Sequence, residues 1–307
     1  MRLLVIGGSG FIGHHLLAKM VCRKGWNVSS LSLNPPAVTR RVDNVDYLFA
    51  DIRNSSSLIA TLKEHRFEFV VNLGGYPDHS SLTKGGENQI DLHFNAVINL
   101  VKTLQWQGLR RFVQVGSSDE YGTVCAPQHE EQREQPISPY AVAKLSSTQF
   151  LQMLHRTEKF PVVCIRLFLA YGPGQSQTRL IPQIIRGSLD NEAFPVSSGK
   201  QLRDFCFIDD IVSAIQMILD NDDVTGKLLN IASGIPRSVE SVVNLVCQIT
   251  GRGKPQFGEI LYRPAENMEL FADITKAKEI LPWEPQTEIE TGLLKTIEWM
   301  KRHDLQH

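Results

Sequence analysis

No stretch of this 307-residue chain approaches the roughly 20 consecutive apolar residues that a membrane-spanning helix requires. The N-terminal run LLVIGGSGFIG is too short for the apolar core of a signal peptide and is broken by glycines. A soluble, untargeted protein with no membrane partner is therefore expected. Cysteine is sparse: Cys22, Cys125, Cys164, Cys206 and Cys247 are odd in number, widely separated, and never form Cys-x-x-Cys. That argues against a disulfide framework and a zinc site, and a cytoplasmic location follows. The scattered histidines lack metal-ligand spacing, so no metal is expected; His14-His15 read as cover for the start of the first helix. Charge of either sign is not in excess, with 32 Lys+Arg against 33 Asp+Glu, which argues against nucleic acid as a partner and leaves any anionic ligand to local groups. Internal repeats and low-complexity tracts are missing as well.

What is present suffices for a packed globule: with 42% hydrophobic residues the chain can bury a sizeable core without staples. Short apolar runs alternate with longer amphipathic ones, RLLVIGG before FIGHHLLAKMVCRKG, SLIATLKEHR before FEFVVNLGG, HFNAVINLVKTLQWQG before RRFVQVGSS, and later PVVCIRLFLAYGP. Strands joined through helices run parallel, so the expected class is α/β, a doubly wound parallel sheet. The rhythm breaks after Phe168, at Pro173, Gly174 and LDNEAFPVSSGKQ. Beyond lie RDFCFIDDIVSAIQMILDN, KLLNIASG, SVESVVNLVCQITG and a last helix over about 290–302. The expected division is residues 1–168 plus about 205–232 in the sheet domain, and about 169–204 and 233–307 in a smaller mixed α/β substrate-binding domain.

After the first strand comes Gly7-Gly8-Ser9-Gly10-Phe11-Ile12-Gly13, opening a helix. Glycines let backbone N–H groups approach a pyrophosphate at a helix N-terminus, where the dipole attracts the anion. A glycine triplet alone is a weak signal. Its place between a first strand and a helix, in a chain of strand-helix units, predicts a Rossmann-like dinucleotide site over a merely structural turn. Gly7, Gly10, Phe11, Ile12 and Gly13 form that site, with Leu73 after the strand FEFVVN. The second strand, WNVSSLSLN, should end in Asp or Glu to grip a ribose 2′-hydroxyl; it offers Ser32 and Asn34, with Arg40-Arg41 following. Loss of the carboxylate removes repulsion toward a 2′-phosphate that an arginine could clamp. NADP(H) is thus favoured over NAD(H), the plain alternative being that Arg40 and Arg41 form only a solvated loop. Asp51 and Ile52, at the end of the next strand, fall where an adenine amine would bind, although an Asp at such a junction also serves as an N-cap.

In SPYAVAK, Ser138-Pro139 reads as a helix start that puts Tyr140 and Lys144 on one face, one turn apart. Such a pair is either an ordinary surface contact or a phenol whose pKa is lowered for proton transfer. Upstream, RRFVQVG ends in Ser117, and side chains at the carboxyl ends of parallel strands face the ligand crevice. Ser117, Tyr140 and Lys144 would then converge on one reacting oxygen.

Over almost its whole length, through GGSGFIG, GSSDEYG, SPYAVAK, YGPGQ, GKQLRDFCFIDD and YRPAENMELFADITKAKEILPWEP, the chain resembles the extended short-chain dehydrogenase/reductases that modify nucleotide-diphosphate sugars. The resemblance implies that Tyr140 is the acid/base, that Lys144 lowers its pKa and holds the nicotinamide ribose, and that Ser117 hydrogen-bonds the sugar oxygen. It also implies that Arg203 and Arg263 contact the nucleotide's ribose and diphosphate, with a structural ion pair as the alternative for Arg203. Where this family usually has Asn, the chain has Leu169, implying a modified pocket. Its 4,6-dehydratases place a Glu, often after an Asp, where this chain has Ser118-Asp119; Asp is one methylene shorter, which disfavours dehydration while leaving both residues set against the substrate and Asp119 a candidate catalytic group. The motifs look most like reductases that convert an NDP-4-keto-6-deoxyhexose to the 6-deoxyhexose, such as GDP-4-keto-6-deoxymannose reductase. The alternatives are a 4-epimerase or 4,6-dehydratase with tightly bound NAD, and a non-catalytic NADP-sensing module. A homodimer through HFNAVINLVKTL and the Tyr140 helix is also implied. The acidic run Glu130, Glu131 and Glu134 is read as solvated, Trp283 as packing, and loops near 76–88 and 174–200 as the seat of sugar selectivity.

Overall fold

Leu3 and Val5 face one side of the first strand and Leu4 and Ile6 the other, and all four are buried. A strand covered on both faces belongs to the centre of a parallel sheet. The computed structural model describes residues 1–262 and 266–304. In chain order the first half comprises β1 (Arg2–Ile6), α1 (Phe11–Met20), β2 (Asn27–Ser32), β3 (Val45–Phe49), α2 (Ser55–Leu62), β4 (Phe69–Asn72), α3 (Asn88–Ile90), α4 (Ala96–Thr103), β5 (Arg111–Ser117), α5 (Pro139–Glu158) and β6 (Val162–Leu167). The rest comprises β7 (Leu169–Tyr171), α6 (Leu180–Asp190), β8 (Ala193–Val196), β9 (Leu202–Phe207), α7 (Ile208–Asp220), β10 (Leu228–Ile231), β11 (Pro236–Ser238), α8 (Val239–Thr250), β12 (Lys254–Phe257), β13 (Glu269–Leu270), α9 (Thr275–Ile280) and α10 (Ile289–Asp304).

Seven strands form a parallel sheet in the order β10-β6-β5-β4-β1-β2-β3, the doubly wound arrangement expected. One face packs on α1 and α7, the other on α2, α4 and α5. A smaller sheet has β7, β11 and β13 each paired to β9, and β8 pairs with β12. β9 straddles the expected boundary near residue 205 and belongs to the smaller sheet, while α7 and β10 return to the large one.

α5 begins as its sequence predicts. Ser138 caps it by accepting the Ala141 N–H at 3.1 Å, and Pro139, which has no N–H to satisfy, occupies the first turn. Two expectations fail. The 174–200 stretch is not a loop throughout, because Ile181, Ile184, Ile185 and Ser188 recur at helical spacing and bury one face of α6. The acidic run is not simply solvated: Glu134 pairs with Arg166 at 2.6 Å, Glu130 accepts the Asn230 N–H at 2.7 Å, and Glu131 meets Lys276 at 2.8 Å. Trp283 packs as read, buried and donating its indole N–H to the Asp210 carbonyl at 3.1 Å.

Candidate active site

Strand order reverses between β1 and β4, opening a crevice beyond their carboxyl ends. Gly7 stands there with φ +77°, and a Cβ on it would lie 2.9 Å from the Leu73 carbonyl oxygen. A Cβ on Gly13 would collide with the Gly7 carbonyl. Gly10 precedes α1 as an N-cap that offers no side-chain acceptor, so the helix's first amides, those of Phe11 and Ile12 included, are left for an anion. This cradle, which side chains would fill, fits the pyrophosphate of a dinucleotide.

The neighbouring residues are arranged differently from expectation. Ser32 closes β2 and accepts the Ser9 N–H at 3.3 Å and the Ser9 hydroxyl at 3.0 Å, while Asn34 is exposed. The Arg40 guanidinium does not stand open for a 2′-phosphate. It donates to the Gly174 carbonyl at 2.7 Å and the Ser9 carbonyl at 3.4 Å, tying the glycine turn to the turn after β7, and Arg41 stacks over Tyr47. Nearby carbonyls and a ring claim these forks before any ligand does. Asp51 is held by Arg53 at 2.7 Å, and that hydrogen bond keeps its carboxyl below the usual range. It is not a helix cap, since Asn54 caps α2 by accepting the Ser57 N–H at 3.0 Å. Ile52 is buried against Gly74.

At the carboxyl end of β5, Ser117 begins a tight turn over Ser118–Tyr121. Its N–H donates to Glu120 at 2.9 Å, its hydroxyl donates to the Asp119 carboxylate at 3.3 Å, and it lies close enough to the Tyr140 phenol to oppose the rise in that group's pKa. The Asp119 carboxylate in turn lies 3.8 Å from His79 Nε2. Polar contacts therefore run Ser117–Asp119–His79 beside the Tyr140 phenol. The Tyr140 ring is clasped edge-on by His79, at 5.4 Å between centroids, and by His93 at 5.0 Å. Lys144 is buried one turn further along α5 and donates to the Val115 carbonyl at 2.9 Å.

The electrostatics are those of the free protein. Burial first, and the Asp119 charge second, raise the Tyr140 pKa, with Ser117 opposing. The Lys144 ammonium is directed at a backbone carbonyl, and its own pKa is brought down to about 8 by burial. His93 is pushed down to about 3, by burial and then by the Lys144 charge, so it is neutral and donates Nε2–H to the Tyr76 carbonyl at 3.0 Å. Gly75 leaves room for that ring, since a Cβ would run into it.

Ser118 is buried beneath the turn. Arg203 is buried on β9, where it bonds the Leu202 carbonyl at 2.7 Å and the Glu266 carboxylate; the structural ion-pair alternative is thus the arrangement observed. Arg263 lies outside the described residues. Leu169 is half-buried against the hydrophobic core. His79, His93 and Arg179, whose charge acts on Tyr140, were not singled out from the sequence; only the register of β4 beside β5 brings the two histidine-bearing segments to Tyr140. A cleft of about 420 Å³ lined by Trp26, Asn27, Arg66 and Phe67 lies at the opposite end of the strands, away from this chemistry. Among the described residues, no group of three or more His, Cys, Asp or Glu could hold a metal ion, and no helix is long and apolar enough to cross a membrane.

The family model described as GDP-mannose 4,6 dehydratase matches residues 4–296. The chain belongs to that family. Consistent with membership of the GDP-mannose 4,6 dehydratase family, it is 28% identical to a dTDP-glucose 4,6-dehydratase of Xanthomonas campestris pv. campestris, over 96% of this chain and 92% of that one. It is 24% identical to the UDP-glucuronate 4-epimerase of Thermodesulfobacterium geofontis, over 92% and 85%. Among solved structures it superposes on MoeE5 in complex with UDP-glucuronic acid and NAD, with TM-score 0.88, 28% identity, and 99% and 100% of the two chains covered. The UDP-glucose 4-epimerase of Thermotoga maritima, solved with UDP-glucose, superposes with TM-score 0.90 at 25% identity, covering 99% of both chains. The expected group of extended short-chain dehydrogenase/reductases is met. The reductase specificity is not supported, since these relatives are dehydratases and epimerases, and the dinucleotide of the MoeE5 complex is NAD and not the favoured NADP(H).

Proposed function

We propose that this chain is an NAD-dependent enzyme of epimerase or dehydratase type that oxidises C4 of a nucleotide-diphosphate hexose. The observation that carries the reading is the convergence of Ser117 and Tyr140 at the carboxyl end of β5, with Lys144 one turn along α5. The glycine turn holds the pyrophosphate, Lys144 the nicotinamide ribose, and Ser117 orients the sugar C4 hydroxyl while Tyr140 exchanges its proton. When bound, the oxidised dinucleotide supplies a hydride acceptor and a positively charged ring, and positive charge beside a phenol favours the anion that can accept a proton. Residues 1–168 with about 205–232 form the dinucleotide part, and the remainder receives the nucleotide sugar. Val142 and Met153, exposed on α5, support a homodimer, which light scattering would test.

The deciding assay incubates the purified protein with UDP-, dTDP- and GDP-hexoses. Product formation with no net change in the dinucleotide pool is expected. Stoichiometric NADPH consumption with NDP-4-keto sugars would establish instead the reductase, the second reading, which Ser32 at the end of β2 still favours. Dinucleotide binding without turnover of any sugar would leave only the sensing module.

A further inference from the structure

We infer that His93 is a positioning residue for the proton transfer at Tyr140: its imidazole is the fixed wall that holds the phenol where its oxygen meets the sugar C4 hydroxyl. This inference rests on the C4 oxidation proposed above and adds to it a residue that acts through Tyr140 and not on the sugar.

Four separate features fix this one ring. The first is a π-helical turn over Asp91–Asn95, with His93 at its centre, through which α3 passes into α4. A π turn inserts a residue into the helical repeat and so changes which side chain faces a neighbour; such turns recur at functional sites. The second is the Ser147 hydroxyl of α5, which donates to the His93 carbonyl and fastens the turn to the helix that carries Tyr140. The third and fourth come from the segment after β4. Gly75, with φ +100°, leaves the space that the ring fills, and the Tyr76 carbonyl accepts its Nε2–H at 3.0 Å. Core packing alone would need none of these, since a leucine fills similar space without burying polar nitrogens.

What the fixed ring does follows from what surrounds the phenol. Two imidazoles stand T-shaped against the Tyr140 ring, His93 at 5.0 Å and 82° and His79 at 5.4 Å and 76°. His79 keeps 32% of its side chain in solvent, whereas His93 is buried, so His93 is the wall that does not yield. Edge-to-face contact sets the angle of one ring against the other. That angle places the phenol oxygen, and a displacement of about 1 Å at a reacting atom costs about 10²-fold in rate. The wall must also be uncharged, because an imidazolium would repel the Lys144 ammonium one turn along α5. Burial, and then the Lys144 charge itself, keep the ring neutral.

The experiment mixes the NAD-loaded protein with UDP-, dTDP- and GDP-hexoses and follows absorbance of the reduced nicotinamide, in water and in deuterated water. His93→Leu should slow the reduction about 10–100-fold. Its solvent isotope effect should rise, because transfer of the C4 hydroxyl proton becomes the slow event, while calorimetric binding of UDP and NAD stays within about threefold of wild type. His93→Gln, whose amide N–H can serve the Tyr76 carbonyl, should recover to within about fivefold of wild type. Ser147→Ala removes only the hydroxyl that holds the turn; it should slow reduction about fivefold, the equivalent of one hydrogen bond, and it decides the question should His93→Leu not fold. Wild-type reduction by His93→Leu or Ser147→Ala, an unchanged solvent isotope effect, no recovery in His93→Gln, or a loss of rate matched by loss of UDP and NAD binding would overturn the inference and return His93 to the packing of the core. A wild type that never reduces its nicotinamide with any of these sugars would sink the underlying C4 reading, a failure distinct from a variant that matches an active wild type.

Discussion

Arg166 and Glu120 meet at 2.9 Å with neither side chain reaching solvent. The other Glu120 oxygen accepts the Ser117 N–H at 2.9 Å, the paired one also accepts the Thr148 hydroxyl at 3.0 Å, and Arg166 continues to Glu134 at 2.6 Å. The ion pair therefore fastens the end of β5 to α5 and β6, and with it the carrier of Ser117. Removing one partner strands a buried charge, so Glu120→Ala is expected to lower stability by about 3–5 kcal/mol, read by urea unfolding. A loss below about 1 kcal/mol would mean that water reaches Arg166 once the carboxylate is gone.

Tyr140→Phe tests the proton path. The phenol is buried and protonated in the free protein, so losing its oxygen changes volume little and leaves Lys144 on the Val115 carbonyl. Turnover should fall about 10²–10⁴-fold, while calorimetric binding of UDP or dTDP stays near wild type. A variant with intact turnover would remove Tyr140 from the chemistry.

How much of this was legible in the sequence depends on the range of the interaction involved. The sheet could be read because Leu3 to Ile6 are buried on both faces and appear as an unbroken apolar run, as does β6 but for the paired Arg166. The start of α5 could be read because Ser138 and Pro139 act within one turn. His79 beside Asp119 could not, since their meeting is set by strand order and register and not by spacing along the chain. The arginines misled for a related reason: a long side chain takes the nearest acceptor, and for Arg40 that is the backbone of Ser9 and Gly174, contributed by a distant turn. α6 stayed hidden because Pro182 and Gly187 interrupt its apolar period in the sequence without breaking the helix.

Arg40 yields a selectivity prediction. Because its guanidinium ties the glycine turn to Gly174, Arg40→Ala should loosen the cradle for any dinucleotide alike. Calorimetry should show NAD and NADP weakened by a similar factor, about tenfold for one or two lost charge-assisted hydrogen bonds. Selective loss of NADP would show that the arginine turns outward to a 2′-phosphate when one is present.

Two buried cations-in-waiting beside Tyr140 contribute to the pH dependence of stability. His93 has its pKa pushed from the ordinary 6.5 to about 3, by burial and then by Lys144, so between those values the unfolded chain binds a proton that the folded one refuses. Stability then rises with pH across that window and is lost as pH falls from 6.5 toward 3. Lys144, brought from 10.5 to about 8 by burial, behaves likewise in its own window: the unfolded chain holds more protons between 8 and 10.5, so stability again rises with pH there. Each group contributes a slope of at most about 1.4 kcal/mol per pH unit. Urea unfolding across pH should show both rises, His93→Asn flattening only the acid one and Lys144→Met only the alkaline one. An acid limb unchanged by His93→Asn would mean that the imidazole is charged where it lies, and the neutral donor to the Tyr76 carbonyl would have to be abandoned.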